Sequence, residues 1–248
     1  MKYVSLPTQE IGVKTVLFVR APSEIIKLLL DQAAHYMAHT KDPSHGLDHL
    51  NHMLKDANRF LTAMGDQYEI DKEVLLLSLY WHDVWKSQHK PALGNYLFQQ
   101  LYEGWGSMSM FRKCARLVGL SSRITGAVSY AIRKHSAIQI RPAKTLEAQL
   151  LWDIDTLDLW NAQRTRALFR NLRGANVSLL DSYLLYMQKV GFRLNFEWTK
   201  NEAQKIKPLF FKEMSKFRAN LMNGKKSPQP VFLQTKVTST KWNLNNKL

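Results

Sequence analysis

From Pro22 to about residue 221, apolar side chains recur at intervals of three and four, and this period limits the fold more than any other feature of the chain. In PSEIIKLLLDQAAHYMAH the spacing puts Ile25, Leu28, Leu29, Ala33 and Tyr36 on one stripe, with Ser23 placed to cap the first turn. The same pattern predicts helices over about 47–64, 71–86, 91–103, 108–118, 121–135, 145–172, 178–193 and 200–221, each boundary good to roughly two to four residues. DPSHG, GWGS, VGLSS and RGANVS read as the turns between them. The best strand candidate is KTVLFVR near the start, and there is no internal repeat. An all-α fold is expected. A chain of 248 residues with 45% hydrophobic content can bury one sizeable core. The expected division is therefore an N-terminal extension over 1–21, one helical domain over 22–222, and a tail from 223 to 248.

The tail GKKSPQPVFLQTKVTSTKWNLNNKL carries five lysines, no acid and no sustained period, which predicts a basic segment without a packed structure. Over the whole chain, 35 Lys and Arg against 20 Asp and Glu give +15, a balance that favours anionic partners: nucleotides, nucleic acid or a phospholipid surface. Cys114 is the single cysteine, so no internal disulfide can form. Around the short run VLFV the first twenty residues place Glu10, Lys14 and Arg20, which interrupt it too much for a secretory signal, and no apolar stretch reaches membrane-span length. The expectation is a soluble protein of a reducing cytoplasm.

Titratable side chains gather in four segments. SHGLDH sets His45 and His49 one helical turn apart, a spacing that lets two imidazoles share a metal. VLLLSLYWHDVWK ends an apolar run on the adjacent pair His82–Asp83, YAIRKHS ends on His135, and LLWDIDTLD holds Asp153 and Asp155. A carboxylate at the end of a Leu-rich helix is costly to bury unless a cation accompanies it. Imidazole nitrogens and carboxylate oxygens together suit one divalent ion, among Mn, Co, Ni, Fe, Mg and Zn. His35, His39, His52 and His89 read as structural or surface residues, and Trp81, Trp85, Trp152 and Trp160 as packing residues.

SHGLDHLNHM, LYWHDVWK, AIRKHS and EAQLLWDIDTLD, in that order over about residues 42–172, resemble the HD-domain metal-dependent phosphohydrolases. The resemblance implies an all-α HD-domain helical bundle whose metal is held by His49, His82, Asp83 and Asp155. His45, His135 and Asp153 match a narrower pattern within that family and would lie around the metal or the phosphate. The implied activity is hydrolysis of a phosphate ester or anhydride, in a small phosphorylated metabolite or a nucleotide, by metal-activated water. Lys86, His45 and His135 would then steady charge on the phosphoryl oxygens, with Arg133 and Arg164 as further substrate contacts. Either Asp48 or Asp153 would orient a ligand histidine or the attacking water.

Two departures from the family pattern, Trp85 and Ile154, put larger side chains where smaller ones are usual and are expected to narrow the pocket. Lys86 stands where an HD-x-x-E pattern would have Glu, and the Glu-Asp pair of guanosine-tetraphosphate hydrolases is missing. Deoxynucleoside monophosphates and that alarmone are accordingly the less expected substrates.

Between Glu103 and Glu147 there is no acid but there are eight Lys or Arg, and Arg166, Arg170 and Arg173 follow at helical spacing. These predict a cationic approach to the site. The rival reading is a catalytically weak binding protein of the same fold, using its basic surface and tail to hold nucleic acid or an anionic membrane.

Overall fold

Short polar side chains start four of the helices, with Ser23 in the capping place that the sequence predicts for it. Ser23, Ser121 and Thr145 accept hydrogen bonds from the backbone N–H three residues on, at 3.3, 3.4 and 3.3 Å, and Asp71 accepts from Glu73 and Val74 at 3.1 Å each. They open α1 (Glu24–Ala38), α6 (Ser122–Lys134), α7 (Leu146–Asp158) and α3 (Lys72–Trp81). A single 3-10 turn at Pro43–His45 leads into α2 (Leu47–Met64); α4 (Val84–Ser87), α5 (Leu93–Leu117), α8 (Ala162–Asn171), α9 (Val177–Lys189) and α10 (Glu197–Met222) complete the chain. A computed structural model describes residues 23–91, 93–135, 142–171, 175–189 and 193–223, with backbone alone at 93–97. Among the described residues there is no strand, and the fold is all-α. KTVLFVR, most of the RGANVS turn's first half and the tail beyond residue 223 lie outside the described residues.

Three expected boundaries differ from the structure, each for a packing reason. GWGS is not a turn, because α5 runs through it. A side chain at Gly104 would come within 3.2 Å of the Ile132 carbonyl, and one at Gly106 within 2.3 Å of the Trp85 ring, so these glycines admit α6 and an indole rather than bend the chain. The helix expected over 71–86 breaks at Asp83 (φ −110°, ψ 8°), separating α3 from α4. The helix expected over 145–172 breaks after Asp158, and Asn161 restarts it by accepting from the N–H groups of Gln163 and Arg164 at 2.9 and 3.2 Å.

Helix α3 is the axis of the molecule. Every residue from Val74 to Trp81 is buried, which is what an all-round apolar helix requires, and it packs against α1, α2, α5, α6 and α7. Leu75, Leu76, Leu77 and Leu79 are each at most 1% exposed and contribute about 1.5–3 kcal/mol apiece by burial. A second apolar cluster joins Leu157 and Trp160 to α8, α9 and α10 through Phe169, Leu180, Met187, Phe210 and Met214. The consequence for function is positional: the end of α3 delivers His82 and Asp83 into the interior.

Candidate metal centre

His82 follows the last turn of α3, and its backbone setting fixes its ring. Nδ1 lies 2.8 Å from the Leu79 carbonyl, one of the acceptors left over at a helix end. A carbonyl only accepts, so Nδ1 carries the proton and Nε2 presents a lone pair. His135, just beyond α6, repeats the arrangement: its Nδ1 donates to the Ile132 carbonyl, and its Nε2 is buried without a hydrogen-bond partner, 3.4 Å from Asp83 Oδ1. His49, in the first turn of α2, donates from Nδ1 to Asp158 Oδ2 at 2.6 Å. His49 Nε2 then faces His82 Nε2 at 3.1 Å.

Asp83 sits among these rings. Its Oδ2 is 3.3 Å from His82 Nε2, 3.4 Å from His49 Nε2 and 3.6 Å from His45 Nε2. Burial alone would raise its pKa, but His82 and His45, with His135 and His49 also against it at 3.4 Å, hold it well below the usual carboxylate range. Asp155, on α7, brings Oδ1 to 3.6 Å from His49 Nε2 and is the most open of the group, its side chain 19% exposed. Its pKa falls to about 2, since Arg164 and the histidines outweigh burial and the repulsion from Asp83. One ligand atom from each of His49, His82, Asp83 and Asp155 lies within 4.8 Å of the other three. These four can hold a metal ion, and they are the four that the family resemblance implies.

The chemistry of the donors fits a cation. With both Nδ1 atoms committed, two Nε2 lone pairs converge beside a carboxylate, an arrangement that is repulsive until a proton or metal lies between them. In the metal-free protein a proton serves. Burial and Arg164 disfavour charge on His49, yet its interactions with the accepting carboxylates of Asp158 and Asp83 raise its pKa above the ordinary value. Hydrogen-bonded carboxylates behind ligand histidines are the usual means of orienting them.

Of the other expected residues, some join this cluster and some do not. His45 is buried beside Asp83, with Nδ1 bonded to Asp42 Oδ2 at 2.7 Å, and burial and Lys86 lower its pKa. Arg164 reaches in from α8: Nε donates to the Ser44 carbonyl at 3.0 Å, and NH1 lies 3.3 Å from Asp155 and 3.4 Å from Asp158. A cleft of about 320 Å3, open solvent included, lies alongside and is lined by His49, Asp48, His52, Asn161, Gln163 and Arg164. Asp48 is exposed at its rim rather than behind a ligand. Lys86 is buried and donates to Glu103 at 2.6 Å, so its ammonium is matched by a carboxylate. Arg133 is exposed and lies over the Trp105 ring.

Asp153 is directed elsewhere. Two residues along a helix is more than half a turn, so the face opposite Asp155 receives it, and there it accepts from the backbone N–H groups of Asn195 and Phe196 and from Thr199 Oγ1. Arg166 and Arg170 turn toward α10, the first 3.5 Å from Glu213 and the second over Phe217; Arg173 lies outside the described residues. Trp85 packs on Gly106 and His89, and Ile154 is fully buried in the core, so neither lines the cleft.

Sequence reasoning passed over Asp158, Asp42, Glu103, Asn161 and the cleft position of His52. Asp158 was legible, since it closes DIDTLD three residues after Asp155 and so shares its face. Asp42 stands three before His45 in a capping position. Glu103 gave no signal, because only tertiary packing brings it to Lys86.

Compared with protein-family models, curated proteins and solved structures, the chain matches none. Among the described residues no helix is long and apolar enough to cross a membrane.

Proposed function

We propose that this protein is a divalent-metal-dependent phosphohydrolase of HD type, acting on a phosphate ester or anhydride of a small phosphorylated metabolite or nucleotide. The observation that carries the reading is the meeting of His49 Nε2 and His82 Nε2 at 3.1 Å beside Asp83, with Arg164 next to it on a cleft. A divalent ion held by His49, His82, Asp83 and Asp155 would supply Lewis acidity, acidifying a water and polarising a phosphoryl oxygen. The chain's own residues do the rest. Asp158 and the Leu79 carbonyl hold the two ligand imidazoles in the tautomer that donates from Nε2. Arg164 offers a planar fork that matches phosphate oxygens, and its Nε–Ser44 bond fixes that fork at the cleft. The His135 ring stands beside the ligand Asp83, its Nε2 3.4 Å from Oδ1, and in metal-free protein Asp83 and Glu103 push its pKa up to about 9 despite burial.

Stripped protein reloaded separately with Mn, Co, Ni, Fe, Mg and Zn, then assayed against aryl phosphates, aryl phosphodiesters, nucleotides and sugar phosphates, tests the proposal. Hydrolysis that needs the metal and is lost in Asp83→Ala is the expected result. A metal-loaded protein inert toward every class of phosphate would overturn it.

A further inference from the structure

Helix α5 turns Gln99, Glu103, Ser107, Phe111 and Ala115 inward and leaves its other side to solvent. On that outer side stand Phe98, Leu101, Tyr102 and Trp105, between 49% and 56% exposed, at the spacings of three and four that make a single face. Four large apolar side chains together in water call for an explanation, unlike one alone. Phe98 and Tyr102 lie ring on ring at 4.3 Å. Farther along the helix, Arg112, Lys113 and Arg116 are exposed. The neighbouring helix α6 adds Arg133, whose guanidinium lies 5.4 Å from the Trp105 ring centre. Gly104 makes that contact possible, since α5 approaches the Ile132 and Arg133 carbonyls too closely for a side chain there. Neither helix puts negative charge on this surface: the only acid in α5 is Glu103, buried against Lys86, and α6 has none.

We propose that the α5–α6 face is a binding surface for single-stranded nucleic acid, with Tyr102 and Trp105 stacking bases and Arg112, Arg116 and Arg133 meeting phosphates. Aromatic rings joined to a cationic track are what such a ligand needs, because every base has a flat face and every nucleotide a charge. The rings come first and most of the cations follow along the helix axis; at 1.5 Å per residue Trp105 and Arg112 are about 10 Å apart, within the reach of two nucleotides of an extended strand. A helix that lies on a bilayer instead flanks its apolar stripe with cations on both sides. A second copy is disfavoured, since a two-fold contact centred on Trp105 would bring Arg133, 5.4 Å from that ring, toward its own copy in chains that each carry +15. The surface is separate from the metal cleft, and the inference does not depend on the hydrolytic reading.

Fluorescence anisotropy of the full metal-loaded chain with labelled oligothymidylate and oligouridylate of about 20 nucleotides tests it. Trp105→Ala and Tyr102→Ala should each weaken binding about tenfold, and Trp105→Phe should retain most of it. Arg112→Gln and Arg116→Gln should each lower the slope of log affinity against log salt by about 0.7. All these positions are on the surface, and circular dichroism should show the variants folded. Unchanged affinity in both aromatic variants would overturn the proposal. So would duplex DNA bound as tightly as single strands, or retention on phosphatidylcholine–phosphatidylserine vesicles that depends on Trp105 without any binding of the oligonucleotides.

Discussion

His49 and His82 direct their Nε2 atoms at each other across 3.1 Å while the Nδ1 atom of each ring is already bonded, to Asp158 and to the Leu79 carbonyl. Two lone pairs so placed hold either a proton or a metal ion, and the two compete. Metal titrated into stripped protein should therefore release a proton, and affinity should fall as pH is lowered, because the raised pKa of His49 keeps the competing proton on the ring. Calorimetry in two buffers of different ionisation enthalpy measures the release. Unfolding provides a second readout: ligand at 100 times Kd adds about 2.7 kcal/mol, which His82→Ala should abolish.

Asp158 offers a test of how much the ligand's support matters. Asp158→Asn keeps the size of the side chain but removes the charge that orients His49 and sits 3.4 Å from Arg164. Metal affinity should drop about 10–100-fold with the fold intact. An unchanged metal titration would show that His49 does not depend on Asp158.

How far the sequence could be read follows from which contacts are local. Local signals marked the segments, namely paired residues at the end of an apolar run, a four-residue histidine spacing and aspartates in one helix, but only the family resemblance chose His49 over His45 and Asp155 over Asp153. The helices were legible from period and caps, with α2 falling where the spacing puts it. What escaped was set at a distance. Nothing near Gly104 and Gly106 in the chain says that α6 and Trp85 pack there, so GWGS reads as a turn. Nothing near Lys86 names Glu103 as its partner, and although the two-residue spacing in DIDTLD turns Asp153 away from Asp155, nothing there names the α10 groups that Asp153 meets.

The Lys86–Glu103 pair separates a structural role from a chemical one. Both side chains are about 5% exposed and bonded at 2.6 Å, so Lys86→Met alone strands a buried carboxylate and should cost about 3–5 kcal/mol. Lys86→Met with Glu103→Leu should recover most of that loss, read as urea midpoints. Because the ammonium is matched by Glu103, turnover in the double variant should stay within about tenfold of wild type, whereas a phosphate-contacting donor would cost about 100–1,000-fold.

His135 predicts a pH dependence in metal-free protein. Burial opposes its charge, but Asp83 and Glu103 prevail and lift its pKa to about 9 from an ordinary 6.5. A folded-state pKa above the unfolded one means stability that is fully present below about pH 6.5 and lost as pH rises through about 9. Urea unfolding in the presence of a chelator should show that decline, and His135→Gln should flatten it. An equal slope in the variant would assign the dependence to another group.

Asp153 and Asp155, two residues apart on α7, should give opposite results when truncated. Phe196 stands in the capping position of α10 and has no side chain that can accept, so Asp153 caps that helix from α7, taking the Asn195 and Phe196 N–H groups at 2.8 and 2.9 Å together with the Thr199 hydroxyl. Phe196 in turn packs against Phe60 and Tyr68, with ring centres 4.9 and 5.0 Å apart, and so ties α10 to the main core. Asp153→Ala leaves backbone donors without acceptors at roughly 1–3 kcal/mol each, and a loss of about 3 kcal/mol in total is expected. Metal affinity should hardly change, since none of these partners touches a ligand histidine. Asp155→Ala should do the reverse. It takes one donor from the set of four, and because Arg164 and the histidines outweigh burial and Asp83 it also gives up some stability in metal-free protein at neutral pH, so the loss of metal binding is its larger effect. Urea midpoints measured beside metal titrations for the two variants read both effects. Loss of metal in Asp153→Ala with normal stability would place Asp153 at the metal after all.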